Sequence, residues 1–342
     1  MAVTFKNIIP DQDIANTRTL LNEAIPITGT IVSGTYNDEN IKNYAHGMFQ
    51  SVYDYPFLSS SANHIFDISV GYSSDSSLSS SASVQNAKKI NMYNQMAQVL
   101  VGYDDTGNIR QFDRDGDLSS GTKLKECIFI DFARLLTKDE IQKGTFALTL
   151  MTGGAPSAVS HPLVLEDHGA NTSYLVNSPV GEYAVLYTSS LAVEGTGVGL
   201  LYYQAGIAVL TASVFDGEFG APDATYDTSS IDAVLTGSEI SSSADGLRNR
   251  WNNSDFNNTT ELNSTIYFCR AMTSEFNYSS NPTYLSQSQI RVKVVETDMP
   301  LSYITTVGLY SADNELLAVA KVSEPLKKDP TNELTLRIRL DY

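Results

Sequence analysis

ELTLRIRLDY, residues 333–342, closes the chain with a strict two-residue period. Leu334, Leu336, Ile338, Leu340 and Tyr342 fall on one side, and Thr335, Arg337, Arg339 and Asp341 on the other. Successive side chains of an extended strand point to opposite faces, so the pattern predicts an antiparallel strand with one face covered and one in solvent. A strand that runs to the last residue also ties that end of the chain into a sheet. Working backwards, QIRVKVV (289–295) alternates in the same way. SYITTVGLY (302–310), SADNE and LLAVAKV (316–322) read as a hairpin. EYAVLYTSS (182–190), GLLYYQAGIAVLTASVF (199–215) and STIYFCRA (264–271) are rich in Tyr, Val, Ile and Leu, the residues that suit a pleated, half-buried surface. Between them lie a Gly/Asp/Ser loop (216–230) and one polar helix, about 240–256, that carries the single tryptophan, Trp251.

The N-terminal half mixes two periods. NDENIKNYAHGMFQSVYDY (37–55) places Ile41, Tyr44, Ala45, Met48, Phe49 and Val52 at helical spacing, with Asn37 or Asp38 as a cap and Pro56 as a stop. A short helix over 11–23 and a helix over 84–100, striped by Ile90, Tyr93, Ala97 and Leu100, are expected beside it. HIFDISVGY (64–72), ECIFIDFARLL (126–136) and TFALTLMTGG (145–154) read as strands. YDDTGNIRQFD (103–113) reads as a hairpin tip turning at Thr106-Gly107-Asn108, and TKDE (137–140) as a capping box for one turn of helix. The serine tract SSDSSLSSSAS (73–83) has too little apolar surface to offset its ordering entropy and is expected to be a mobile loop. Gly153, Gly154 and Pro156 mark the best candidate boundary. The expected fold is mainly β, a β-rich α+β class with antiparallel sheets or a sandwich and a few peripheral helices. It divides into an α+β region (1–154) and a β-rich region (155–342), or forms one intertwined domain.

Composition narrows the function. The net charge is −17 and only 18% of residues are charged, so polarity rests on Ser, Thr and Asn. Phosphate binding needs a basic surface, which argues against direct nucleic-acid contact. No apolar run is long enough to span a bilayer, and no apolar segment follows a basic stretch at the N-terminus, so neither a membrane partner nor a signal peptide is expected. Cys127 and Cys269 both sit in apolar runs; two cysteines in 342 residues are no disulfide scaffold, and a bond between them stays open.

Motifs for chemistry are sparse. DRDGD (113–117) spaces Asp113, Asp115 and Asp117 as in a calcium loop. Glycine falls at the fourth rather than the sixth position and Leu124 stands where an EF-hand needs Glu, so the alternatives are a looser cation site and a plain acidic hairpin loop. HPLVLEDH (161–168) gathers His161, Glu166, Asp167 and His168 without zinc spacing. GTGVG (195–199) lacks the dinucleotide spacing, and neither a phosphate loop nor a G-x-S-x-G elbow occurs. No catalytic residue, cofactor or enzymatic activity is expected. Tyr53, Tyr55, Tyr278, Tyr284 and Trp251 are the candidates for contact with other proteins, because aromatic rings carry large apolar area at interfaces.

Three segments carry a resemblance: STIYFCRAMTSEFNYSSNPTYL (264–285), SYITTVGLYSADNELLAVAKVSEPLKK (302–328) and ELTLRIRLDY (333–342), with GLLYYQAGIAVLTASVF upstream. Together they resemble virion structural proteins of large contractile-tailed bacteriophages, of tail or baseplate type. The resemblance implies a non-enzymatic component of the virion that assembles with its own copies and with neighbouring virion proteins. A neck, collar or capsid-associated position and a receptor- or glycan-binding tail protein are the alternatives.

Overall fold

The computed structural model describes residues 5–28, 38–80, 84–118, 120–151, 162–188, 196–215, 235–236, 240–279, 285–286, 289–290, 297 and 299–342. Strands account for 49% and helices for 17%, so the fold is β-rich with antiparallel sheets, as the alternating segments predict. The chain forms two compact units, Leu21–Thr260 and Met1–Leu20 with Glu261–Tyr342. It passes from one to the other within two long strands, β1 (Ile14–Thr28) and a 21-residue strand, Trp251–Ala271.

The larger unit is organised by one sheet. Its strands in chain order are β2 (Ile41–Asn43), β3 (Gln50–Tyr53) and β4 (His64–Tyr72). Then come helix α1 (Val84–Leu100), a small hairpin of β5 (Phe112–Asp113) and β6 (Lys123–Leu124), and β7 (Glu126–Phe132). β8 (Glu140–Ile141), β9 (Ala147–Met151) and β10 (Pro162–Glu166) follow, then β11 (Leu175–Ser178), β12 (Gly181–Leu186), β13 (Gly199–Tyr202) and β14 (Ile207–Thr211). Helix α2 (Ile240–Arg250) leads directly into β15 (Trp251–Ala271). The eight-stranded sheet runs β11-β12-β13-β14-β7-β4-β3-β2. All its pairings are antiparallel.

Both faces of this sheet are covered, and β7 at its centre shows how the sequence encodes that. Cys127 and Phe129 point into one apolar cluster with Met92, Tyr93, Ala97 and Leu100 of α1. Ile128, Ile130 and Phe132 point into a second cluster with Leu148, Leu150, Leu165 and Trp251. A strand buried on two sides reads as a continuous apolar run, which is why ECIFIDF shows no polar alternation. α1 ends where Gly102, at φ +79°, accepts the left-handed conformation, its N–H reaching the Ala97 carbonyl. No helix among the described residues is long and apolar enough to cross a membrane.

The smaller unit holds part of β1, the distal half of β15, and a ribbon of β18 (Ser302–Tyr310) and β19 (Leu316–Lys328). β16 (Leu285–Ser286) and β17 (Gln289–Ile290) form a two-residue pair, and β20 (Leu334–Asp341) ends the chain. β20 pairs with β15 over eight residues, Ser264↔Asp341 to Ala271↔Leu334. Leu334, Leu336 and Ile338 are half-buried while Thr335, Arg337 and Arg339 are exposed, the alternation expected from ELTLRIRLDY, but Leu340 and Tyr342, expected on the covered side, are exposed. Buried Lys328 closes the ribbon's base, its Nζ 2.7 Å from Asn277 Oδ1.

Several expectations are corrected. Residues 38–55 are no helix: a single 3₁₀ turn (Asp38–Asn40) precedes the β2–β3 hairpin, in which Ile41 faces Val52. Gly47, at φ +63°, turns the chain, and Tyr44, His46 and Phe49 pack on one another, with Tyr44 and Phe49 centroids 4.5 Å apart. Aromatic residues folding over a tight turn thus mimic the helical period. Residues 11–23 are mainly strand, with one helical turn at Pro10–Asp13. The turn near TKDE is Arg134–Thr137, so it ends at Thr137 rather than starting there. α2 stops at Arg250, and Trp251 begins a strand. The described part of the serine tract is tied down: Ser73 and Ser76 are buried, Ser76 bonds Glu126, and Gln111 Nε2 donates to Ser73 Oγ at 2.8 Å. Gly153, Gly154, Pro156, the loop 216–230 and most of QIRVKVV lie outside the described residues.

Gly71 sets how closely α1 packs on the sheet. A Cβ there would lie 2.7 Å from both the Lys89 carbonyl oxygen and the Tyr93 nitrogen, contacts with backbone that cannot swing away. Gly71→Ala is therefore expected to destabilise the larger unit by about 1–3 kcal/mol, as overpacking does. Urea denaturation checks this: the midpoint should fall with the slope unchanged.

Candidate functional site

The β5–β6 hairpin carries the acidic loop. Phe112 and Leu124 anchor it, both buried in the apolar cluster under α1. The Tyr93 hydroxyl donates to the Leu124 carbonyl at 2.8 Å and accepts from the Phe112 N–H at 3.2 Å. Immediately beyond these anchors Asp113 faces Lys123 across the ladder, and the two side chains form an ion pair. The loop beyond is braced from three sides. The Tyr183 hydroxyl donates to the Gly116 carbonyl at 2.9 Å, Asn177 Nδ2 donates to the same oxygen at 3.0 Å, and Arg114 Nε donates to Gly197 O at 2.8 Å. Gly116, at φ +79°, allows the turn that brings alternate aspartates together.

Carboxylate oxygens of Asp113, Asp115 and Asp117 lie within 4.8 Å of one another, and no other such group of three exists among the described residues. Asp113 is fully buried, Asp115 half-buried and Asp117 exposed. Burial raises the Asp113 pKa, and contact with Asp115 adds to it, while Lys123 pulls the other way. The sequence spacing that suggested a cation loop therefore brings these three residues together in space.

Among the described residues, the other motif for a metal gathers no group of three ligands. His161 lies outside the described residues and His168 is exposed. Asp167 is buried and accepts hydrogen bonds from the Gly144 N–H (2.6 Å), the Phe146 N–H (3.1 Å) and the Tyr203 hydroxyl (2.7 Å). These donors tie the 144–146 segment to the rim of a shallow polar depression of about 350 Å³. Its carboxylate is a structural clamp.

A third polar cluster, unmarked in the sequence, sits across β3, β4 and β7. Asp67 stands opposite both Ser51 and Asp131. Asp67 Oδ1 accepts from Ser51 Oγ at 2.5 Å and lies 2.8 Å from His64 Nε2. The serine hydroxyl bonds to the carboxylate rather than to the imidazole. Hydrogen bonding to Asp67 holds the His64 pKa above its usual value. Burial, with repulsion from Asp67, raises Asp131 to about 6.

The expected contact residues fare differently. Tyr55 (58% exposed) and Tyr278 (38%) are surface rings. Tyr53 is half-buried, its ring 5.5 Å from His64. Tyr284 lies outside the described residues. Trp251, expected at a surface, is 2% exposed and stacks on Phe66 at 4.6 Å, so it is a core ring. Both cysteines are free thiols. Exposed apolar side chains that the sequence does not flag also line the β18–β19 ribbon, where Tyr303, Tyr310, Leu316, Leu317 and Val319 are all exposed.

Comparison with known proteins finds no matching family model, no matching curated protein and no matching solved structure.

Asp131 makes a pH test. Its folded pKa of about 6 lies above the unfolded value near 3.8, so the folded state binds more protons in that window. Its ionisation costs nothing below the unfolded pKa, and the cost is complete above about 6. Asp131→Asn should therefore be more stable than the parent by up to about 3 kcal/mol at roughly pH 7, the difference vanishing near pH 3. Urea denaturation at the two pH values measures the difference.

Proposed function

We propose that this chain is a structural component of a tailed-phage virion that acts by docking, in the tail or baseplate, against its own copies and neighbouring virion proteins. The observation that carries the reading is the β18–β19 ribbon. A two-stranded ribbon on its own is marginal in water. This one pairs from Ser302↔Lys328 to Tyr310↔Leu316 yet leaves Leu316 (53%), Leu317 (69%) and Val319 (53%) exposed. Exposed aromatic and aliphatic side chains grouped on one element mark interaction surfaces. Phe5 packs edge-on against Tyr310 at 5.5 Å and is itself 57% exposed, which extends the apolar surface beyond the ribbon.

Two further features support the reading. The ribbon and β20 fall in the segments that resemble phage virion proteins, 302–328 and 333–342. The net charge of −17 keeps free chains apart until a specific apolar surface meets its complement.

The double substitution Leu317→Asp with Val319→Asp tests the proposal. Both side chains are exposed, so the fold should survive, with stability changed by no more than about 0.5 kcal/mol. In phage particles assembled with the variant, incorporation of the chain should fall at least about tenfold, since charges placed in an apolar contact lose more than ~1.4 kcal/mol. Normal incorporation of a folded variant would refute docking through the ribbon. Absence of the parent chain from purified particles would refute the virion assignment.

A further inference from the structure

We propose that the loop Asp113–Asp117 is a calcium site, with one carboxylate oxygen each from Asp113, Asp115 and Asp117 in the coordination sphere. Three aspartates in a loop are common without an ion, and the case rests on the state of Asp113. Its side chain is fully buried, and Lys123 occupies only Oδ2. Oδ1 has no hydrogen-bond partner among the described residues. A buried carboxylate oxygen with no partner is costly, and the fold holds it there through the two core anchors on either side, Phe112 and Leu124.

Gly121 shows where that oxygen faces. A Cβ at Gly121, whose φ is +79°, would lie 3.7 Å from Asp113 Oδ1 and 3.1 Å from Asp115 Oδ2. Oxygens of both carboxylates therefore face the space beside Gly121. Asp117 completes the group within the 4.8 Å spread. At calcium–oxygen distances of about 2.3–2.6 Å one ion bonds three neighbouring oxygens that lie within roughly 4.0–4.5 Å of one another, so the carboxylates need close by no more than a few tenths of an ångström to share it.

Charge agrees. Three carboxylates against the one ammonium of Lys123 leave a double negative charge, and the neighbouring Arg114 directs its Nε to the Gly197 carbonyl. A hard divalent cation neutralises this charge and supplies Asp113 Oδ1 with its missing partner. The exposure of Asp117 leaves room for the waters that complete a six- to eight-fold oxygen shell. A site with three carboxylates and several waters suits an affinity on the order of 0.1–1 mM, that of extracellular calcium modules.

Terbium, which takes the same oxygen ligands, is the probe. The Tyr183 hydroxyl lies 2.9 Å from the Gly116 carbonyl, close enough for the ring to sensitise terbium emission from the loop. The full-length chain should show saturable tyrosine-sensitised emission that calcium displaces and magnesium displaces only at much higher concentration. Asp115→Asn with Asp117→Asn should weaken binding by roughly tenfold or more. The control Asp105→Asn, at a fully exposed position, should leave it unchanged. Asp117→Asn alone, at an exposed position, gives a smaller loss of the same sign and serves if the double variant does not fold. No saturable emission from the parent chain, equal binding by a folded loop variant, or displacement by magnesium as readily as by calcium would each overturn the proposal.

Discussion

An apolar strand needs cover on every face that carries apolar side chains, and this requirement organises the molecule. In the larger unit the chain supplies the cover itself. α1 lies on one face of the eight-stranded sheet, close enough that Gly71 touches its backbone, and Leu148, Leu150, Leu165 and Trp251 lie against the other. In the smaller unit the same requirement is unmet along the ribbon, where Leu317 and Val319 remain in solvent. The difference between these two outcomes is the physical basis for reading the protein as one that acts by assembly.

The acidic loop follows from the same arrangement. Phe112 and Leu124 are held by burial under α1, and this forces Asp113, one residue further on, into a position water does not reach. A carboxylate would not occupy that position for stability alone, because burial disfavours its charged form. Lys123 satisfies one oxygen and leaves the other directed toward Asp115. The hairpin thus converts core packing into a tight cluster of carboxylate oxygens.

Much of this was legible in the residues. Period-two segments such as ELTLRIRLDY, and compact apolar runs such as HIFDISVGY and ECIFIDF, name their own structure because burial on one face or two imposes a simple pattern. The aspartate spacing of 113–117 likewise showed which side chains a tight turn brings together. Other features were hidden for identifiable reasons. Residues 37–55 carry apolar side chains at helical intervals, yet Gly47 turns the chain and the aromatic residues meet across it. β15 begins WNNSDFNNTT, and its polar residues concealed a 21-residue strand whose stability comes from partners distant in sequence, β1, β8, β9 and β20. Trp251 falls in the polar-helix stretch of the sequence because α2 passes into that strand with no residue between them. The cluster of Asp67, Asp131, His64 and Ser51 depends on register between three strands, which no local motif encodes.

The central claim is that a neighbouring chain covers the ribbon. Amide hydrogen exchange over residues 302–328, measured on the dilute free chain and on the chain within its assembled particle, tests it most directly. The account predicts fast exchange in the free ribbon and strong protection after assembly, with β7 slow in both states. Ribbon exchange that is the same in both states would contradict it.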